Sequence, residues 1–133
     1  MCFSRMTAVA ILALSLFGEL SSTAFAGVEQ PYTQQAFENS QHEGRPILVH
    51  ITAPWCPYCA KQRPILDSLE NKAAFKDLVV YNIDFDTQKD FVRAMGAQKQ
   101  STLIVFHGIA EKARSVGDTN AGSIEALLEK AND

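Results

Sequence analysis

The sequence predicts an α/β domain in which a central mixed sheet of four to five strands is flanked by helices on both faces. Three segments of strand length are almost entirely apolar, as expected of strands covered on both sides: residues 46–52, 78–85 and 102–107. Segments of helical character alternate with them, and strand–helix–strand units followed by a hairpin give a mixed sheet between helices. The 133-residue chain shows no internal repeat, which favours a single domain.

The first half of the pattern begins with a helix over residues 32–44, which ends at a break containing a glycine. The apolar segment 46–52, "PILVHIT", is the first predicted strand. Residues 56–71 are predicted to form a helix, because their apolar side chains recur at helical spacing. The second buried strand follows at 78–85, "LVVYNIDF".

The second half begins with a short helix over residues 87–96, which a glycine ends. The third strand, 102–107, is followed by a glycine turn and by residues 111–116, which alternate like a strand with one exposed face. An amphipathic helix over residues 123–131 closes the domain, with Ser123 as its predicted N-cap.

Residues 1–26 have the pattern of a secretory signal peptide. Arg5 supplies the positive start, and the apolar run 7–17 is shorter than the about 20 residues that span a bilayer. Ala24 and Ala26 occupy the small positions of a cleavage site. We therefore expect cleavage after Ala26 and a periplasmic or secreted protein without a stable membrane anchor.

The expected mature chain, residues 27–133, is long enough for one core of modest size. An uncleaved anchor is the alternative, although Glu19 closely follows the apolar run. Arg5 and Glu19 cancel, so the mature chain keeps the formal net charge of −3. Acidic and basic residues are mixed along the chain without a basic patch, which argues against a nucleic-acid partner.

The cysteines of the mature chain form one motif, since Cys2 leaves with the signal peptide. Cys56 follows the first buried strand and opens the next helix, where free N–H groups and the helix dipole favour a thiolate. Pro57 suits the first helical turn, since its missing N–H leaves no bond unmade there. Cys59 lies about one turn further on, so we expect Cys56 to be exposed at the helix tip and Cys59 to lie behind it.

Three other interpretations of the pair compete with a redox role: a zinc site, an inert structural disulfide, and a pair of core cysteines without function. The last is disfavoured because "PWCPY" would put the pair beside exposed aromatic and proline residues. A zinc site needs four ligands, and the chain has neither a second CxxC pair nor histidines at the spacing of a zinc finger. We therefore expect no metal at this site. An inert structural disulfide is also possible, but it closes so short a loop that it adds little stability.

The segment "APWCPYC" at the start of a helix after a buried strand, followed by Pro64, "YNIDFD" and "STLIVF", resembles the thioredoxin superfamily. The resemblance extends from about residue 32 to the end of the chain. It implies a thioredoxin fold, a nucleophilic Cys56, a resolving Cys59 and no organic cofactor. It also matches Pro64 to the proline that kinks the helix of the active site, and together with the signal peptide it indicates an exported bacterial protein.

Two positions depart from the pattern of that family. His50 stands where the family has a buried acid, and we expect a neutral imidazole that either accepts a proton or is idle packing. Ser101 stands where the family has a cis-proline facing the cysteines. A cis peptide before a residue other than proline costs about 2.5–4 kcal/mol, which favours a trans bond between Gln100 and Ser101. We assign Ser101 and the adjoining Thr102 as supporting residues of the site.

These observations predict a monomeric thiol–disulfide oxidoreductase whose partners are protein thiols or disulfides and a redox partner protein. Trp55 and Tyr58 are expected to form an apolar rim on which partner chains dock, or simply to pack at the edge of the motif. The alternative function is a thioredoxin-like binding module that docks a partner, or holds a metal or a cluster through the CxxC pair, without turnover.

Overall fold

The computed structural model describes residues 27–133, so the predicted signal peptide lies outside the described residues. Two 3₁₀ turns, Ala73–Phe75 and Lys130–Asn132, accompany nine longer elements in the described chain. In chain order these elements are β1 (Val28–Pro31), α1 (Gln34–His42), β2 (Pro46–Thr52), α2 (Pro57–Glu70), β3 (Val79–Asp84), α3 (Lys89–Ala94), β4 (Thr102–His107), β5 (Ala110–Val116) and α4 (Ala121–Glu129).

The strands form one five-stranded mixed sheet in the order β1-β3-β2-β4-β5. β2 and β1 run parallel to β3, whereas β4 is antiparallel to both β2 and β5. The predicted mixed sheet is therefore confirmed, with β2 at its centre. This position explains the continuous apolar sequence of β2, because both of its faces are covered.

β1 is the element that the sequence analysis missed. Two of its four residues, "VEQP", are polar and three are exposed, and it forms by pairing Val28 with Val79 and Pro31 with Asn82 on β3. A proline is tolerated there because β1 is an edge strand with one side free of ladder bonds. A segment this short and polar has no periodicity from which a strand could be predicted.

Helices cover both faces of the sheet, as predicted. α1 and α3 pack on one face through Phe37 and Val92, next to Tyr81 of β3. α2 and α4 pack on the other face of the sheet, where Leu66 is one of the contacting residues of α2 and Ile124 is one of those of α4. Within residues 27–133, none of the helices combines the length and the apolar character that a membrane crossing requires.

The start of α4 corrects one prediction. The N-cap is Asn120, whose side-chain oxygen accepts a hydrogen bond from the backbone N–H of Ser123 at 3.0 Å. Ser123 is thus the third residue of the helix, and its own hydroxyl bonds the carboxylate of Asp118. Both residue types are good caps, so sequence alone placed the helix start three positions late.

Candidate active site

Cys56 occupies the N-cap of α2, directly after the turn that follows β2. Its backbone is extended, with φ −79° and ψ 115°, and Pro57 is the first helical residue, as predicted. The backbone N–H of Cys59 donates a hydrogen bond to Cys56 Sγ at 3.1 Å. A sulfur that receives an N–H bond at the positive end of a helix is stabilised as a thiolate.

The two cysteines are disulfide-bonded, with their Cα atoms 5.3 Å apart. Each is only 2% exposed, so the prediction of an exposed Cys56 is wrong for this oxidised state. The pair packs with Ala53, and Phe85 from the end of β3 lies against the same cluster. Cys56 is therefore almost covered in this oxidised state.

Trp55 and Tyr58 adjoin the two cysteines in the sequence and are 59% and 52% exposed. The indole N–H of Trp55 donates to Asp86 Oδ2 at 2.6 Å. Asp86 in turn belongs to a turn after β3, in which Asp84 Oδ1 accepts the backbone N–H groups of Asp86 and Thr87 at 2.9 and 2.8 Å. The turn thus orients the tryptophan, while the large exposed aromatic surface is left available.

α2 continues through Pro64 to Glu70, so the segment that contains this proline is helix rather than loop, as predicted. The buried residues of the helix are Cys59, Gln62, Leu66 and Leu69, which lie on one face at helical spacing. Cys59 and the core of the domain therefore share one continuous helix face.

His50 lies in the middle of β2, between Asn82 of β3 and Leu103 of β4, and is 3% exposed. The pKa of His50 is lowered to about 4, mainly by burial and also by the charge of Arg63, and hydrogen bonds to Gln62 and Asn82 oppose part of this decrease. His50 is therefore neutral at pH 7, as expected from its burial. Its part in the chemistry stays a prediction.

Gln62 is a residue of this site that the sequence analysis missed. It is completely buried, and its Oε1 lies 3.1 Å from His50 Nε2. Its Nε2 donates to the carbonyl oxygens of Ser101 at 3.2 Å and Asp118 at 2.8 Å. The available signal was a glutamine in the apolar stripe of α2, between Cys59 and Leu66, where a polar side chain needs buried partners.

Ser101 has a trans peptide bond and a left-handed backbone, with φ 57°. This conformation costs a residue with a side chain about 1–3 kcal/mol. The loop is held by the backbone N–H of Gly117, which donates to Ser101 O at 2.9 Å, in addition to Gln62. The Ser101 hydroxyl donates to the carbonyl of Gln100, so its proton is committed inside the loop rather than offered to the cysteines.

Thr102, the other predicted supporting residue, is 1% exposed and begins β4. Its hydroxyl donates to the carbonyl of Lys99 at 2.7 Å, which braces the loop before Ser101. Within residues 27–133, no three side chains of the types His, Cys, Asp and Glu are grouped so as to hold a metal ion.

Comparisons with known proteins place this geometry in a family. The family model described as Thioredoxin matches residues 28–130. A thioredoxin of Mycobacterium bovis is 33% identical over 89 residues, which cover 67% of this chain and 73% of that protein. The thioredoxin Asp f 29 of Aspergillus fumigatus is 26% identical over 102 residues, or 76% of this chain and 92% of that protein.

A solved structure of Trxlp from Edwardsiella tarda is similar over 76% of this chain and 98% of its own, with a TM-score of 0.74 and 37% identity. The fold, the family match and the bonded CxxC pair agree with one another. The chain therefore belongs to the thioredoxin family and is a thiol–disulfide oxidoreductase.

Proposed function

We propose that the protein is exported and exchanges disulfides with protein substrates through Cys56 and Cys59. The observation that carries the exchange is the hydrogen bond from the Cys59 N–H to Cys56 Sγ at the start of α2. It distinguishes the two sulfurs, because Cys56 is the one that a helix terminus stabilises as an anion. Export is supported by the signal pattern of residues 1–26.

In the reductive direction, the Cys56 thiolate attacks one sulfur of a substrate disulfide. A bond forms between Cys56 Sγ and that sulfur, and the other substrate sulfur leaves as a thiolate. The exposed side chains of Trp55 and Tyr58 form an apolar rim next to the cysteines in the sequence, on which a partner chain can dock. Since Cys56 itself is almost covered, docking at this rim is needed to align the incoming disulfide.

Resolution requires Cys59 to lose its proton and attack Cys56. The electron pair of the mixed disulfide then leaves with the substrate sulfur, and the Cys56–Cys59 disulfide is formed. We propose His50 as the proton acceptor, because it is buried and neutral and contacts Gln62, which follows Cys59 by one turn of α2. Reversal of the same steps oxidises a substrate dithiol.

A trapping experiment tests this assignment. Cys59→Ser should accumulate mixed disulfides at Cys56 with a substrate protein, whereas Cys56→Ser should accumulate none, and both variants should lose net turnover. Mass spectrometry of the trapped adducts identifies the cysteine that attacks. Stoichiometric metal in the purified protein, together with no exchange, would favour the binding module instead.

The export proposal has its own test. Expression of the full chain in a bacterium, followed by fractionation and N-terminal sequencing, should give a periplasmic or secreted protein that begins at Gly27. A cytoplasmic protein that keeps residues 1–26 would contradict export without affecting the assignment of the cysteines.

A further inference from the structure

Gln62 is a fully buried polar side chain within an otherwise apolar helix face. Cys59 precedes it by one turn of α2 and Leu66 follows it by one turn. A buried amide is retained without penalty only when its donors and acceptor find partners. The side-chain oxygen of Gln62 and both N–H groups of its amide nitrogen form hydrogen bonds here. Their partners lie in three separate parts of the chain: β2, the loop before β4 and the loop before α4.

The orientation of the Gln62 amide follows from these partners. Ser101 O and Asp118 O are carbonyl oxygens, which only accept hydrogen bonds, so the NH₂ group must face them. The amide oxygen must then face His50 Nε2, 3.1 Å away. Because this oxygen also only accepts, His50 Nε2 has to carry a proton, and in the neutral imidazole Nδ1 is the nitrogen without one.

The same amide also holds the loop that contains Ser101, the residue that stands where the thioredoxin superfamily has a cis-proline. Ser101 O accepts two hydrogen bonds, from Gln62 Nε2 and from the backbone N–H of Gly117. Ser101 is the only residue besides glycine with a positive φ among residues 27–133. The surroundings must stabilise such a backbone, and Gln62 is the one side chain of α2 that bonds this carbonyl.

We propose that Gln62 is a positioning residue of the redox site, which fixes neutral His50 as the Nε2–H tautomer and ties the Ser101 loop to the helix turn that carries Cys59. In the proposed mechanism, Nδ1 is then the nitrogen of neutral His50 that is left to take up a proton. This last step rests on the function proposed above, whereas the tautomer and the loop tether do not.

Charged and polar groups near His50 come from several elements, and they affect any dependence of His50 on pH. Arg63 on α2 opposes protonation of His50, whereas Asn82 on β3 favours it. A narrow cleft on the same side of α2 is lined by His50 together with Glu29, Arg63, Asp67, Glu70 and Asn82. Because carboxylates line the same cleft as His50, the tautomer should be measured directly rather than inferred from activity.

The primary test is NMR of ¹⁵N-labelled histidine in the chain expressed from residue 27 onward, the range that the structure describes as a folded domain. In wild type at pH 7, His50 should show a protonated Nε2 and an unprotonated Nδ1, in both the oxidised and the reduced protein. A protonated Nδ1 would overturn the proposal at once, without any activity measurement.

Two variants separate the roles of the amide. Gln62→Glu keeps an oxygen toward His50 but replaces the donors, and the added negative charge should raise the pKa of His50 by about one to three pH units. Gln62→Met removes all three bonds, so the two neutral tautomers should mix and resolution of a mixed disulfide should slow about tenfold, as for one lost hydrogen bond.

Gln35→Met is the matched control, because Gln35 is exposed on α1 and undergoes the same chemical change. It should keep the wild-type tautomer and resolution rate. If Gln62→Met folds and behaves like this control in both measurements, the positioning role is refuted. If wild type shows the expected tautomer but exchanges no disulfides, the proposed function fails while the assignment of Gln62 is supported.

Discussion

The two ends of α2 treat negative charge in opposite ways. At the N-terminal end, Cys56 Sγ receives the backbone N–H of Cys59, and the helix dipole favours an anion. At the C-terminal end, Glu70 is half-buried, and burial together with the charges of Glu29 and Asp67 raises its pKa to about 7. The N-terminal end of α2 therefore stabilises the thiolate that the chemistry requires. The C-terminal end of the same helix carries a carboxyl group whose charged form is disfavoured.

His50 lines the cleft that also contains Glu70 and Asn82, beside the C-terminal half of α2. His50 is neutral at pH 7, since its pKa is lowered to about 4, mainly by burial. Burial therefore disfavours the charged form of His50, as it disfavours the charged form of Glu70 at the C-terminal end of α2.

The largest effect is expected for His50→Leu. The folded protein does not bind a proton at His50 until the pH approaches 4, whereas the unfolded chain binds one near 6.5. Wild type therefore loses about 3 kcal/mol of stability at this residue as the pH falls from 7 to below 4, and the variant does not. Urea unfolding at a series of pH values measures the difference between the two free energies of unfolding.

His42→Leu is the control for that series, because His42 is exposed at the end of α1. Its free energy of unfolding should follow the wild-type curve. Parallel curves for wild type and His50→Leu would show that His50 is protonated equally well in both states, and the contrast with Glu70 would then disappear.

A smaller effect of opposite pH dependence is expected for Glu70→Gln. Folded Glu70 keeps its proton up to about pH 7, whereas the unfolded chain releases it near 4.5. Wild type therefore loses stability as the pH rises through this range, and the variant should be about 1–2 kcal/mol more stable at pH 8, allowing for solvent screening of a half-buried group.

Glu129→Gln gives the matched comparison, since Glu129 is the last residue of α4 as Glu70 is of α2, but is exposed. Thermal unfolding of both variants at pH 4 and pH 8 reports the difference. An equal gain in both variants would assign the effect to helix ends in general rather than to the cleft beside His50.

Much of the fold could be predicted from the sequence because its signals are local. The strands β2, β3 and β4 are buried on both faces, so their apolar runs identify them without knowledge of their partners. The start of α2 could be placed at Cys56 for the same reason, since a strand end and a proline at the first helical position adjoin it.

The missed features depend on partners far away in the chain. β1 becomes a strand through β3, about fifty residues later, and it brings Glu29 next to Glu70. Gln62 is satisfied by carbonyl groups 39 and 56 residues away. Phe85, which directly follows another strand, packs against the cluster that contains Cys56 and Cys59. No local pattern contains such information.

The central claim is that the start of α2 makes Cys56 the attacking cysteine. The most direct measurement is the rate at which iodoacetamide alkylates each cysteine of the reduced protein, followed by mass spectrometry from pH 5 to pH 9. Cys56 should react at least about tenfold faster than Cys59 at pH 7, with a midpoint below the roughly 8.5 of a free cysteine. Equal rates, or faster alkylation of Cys59, would contradict the account.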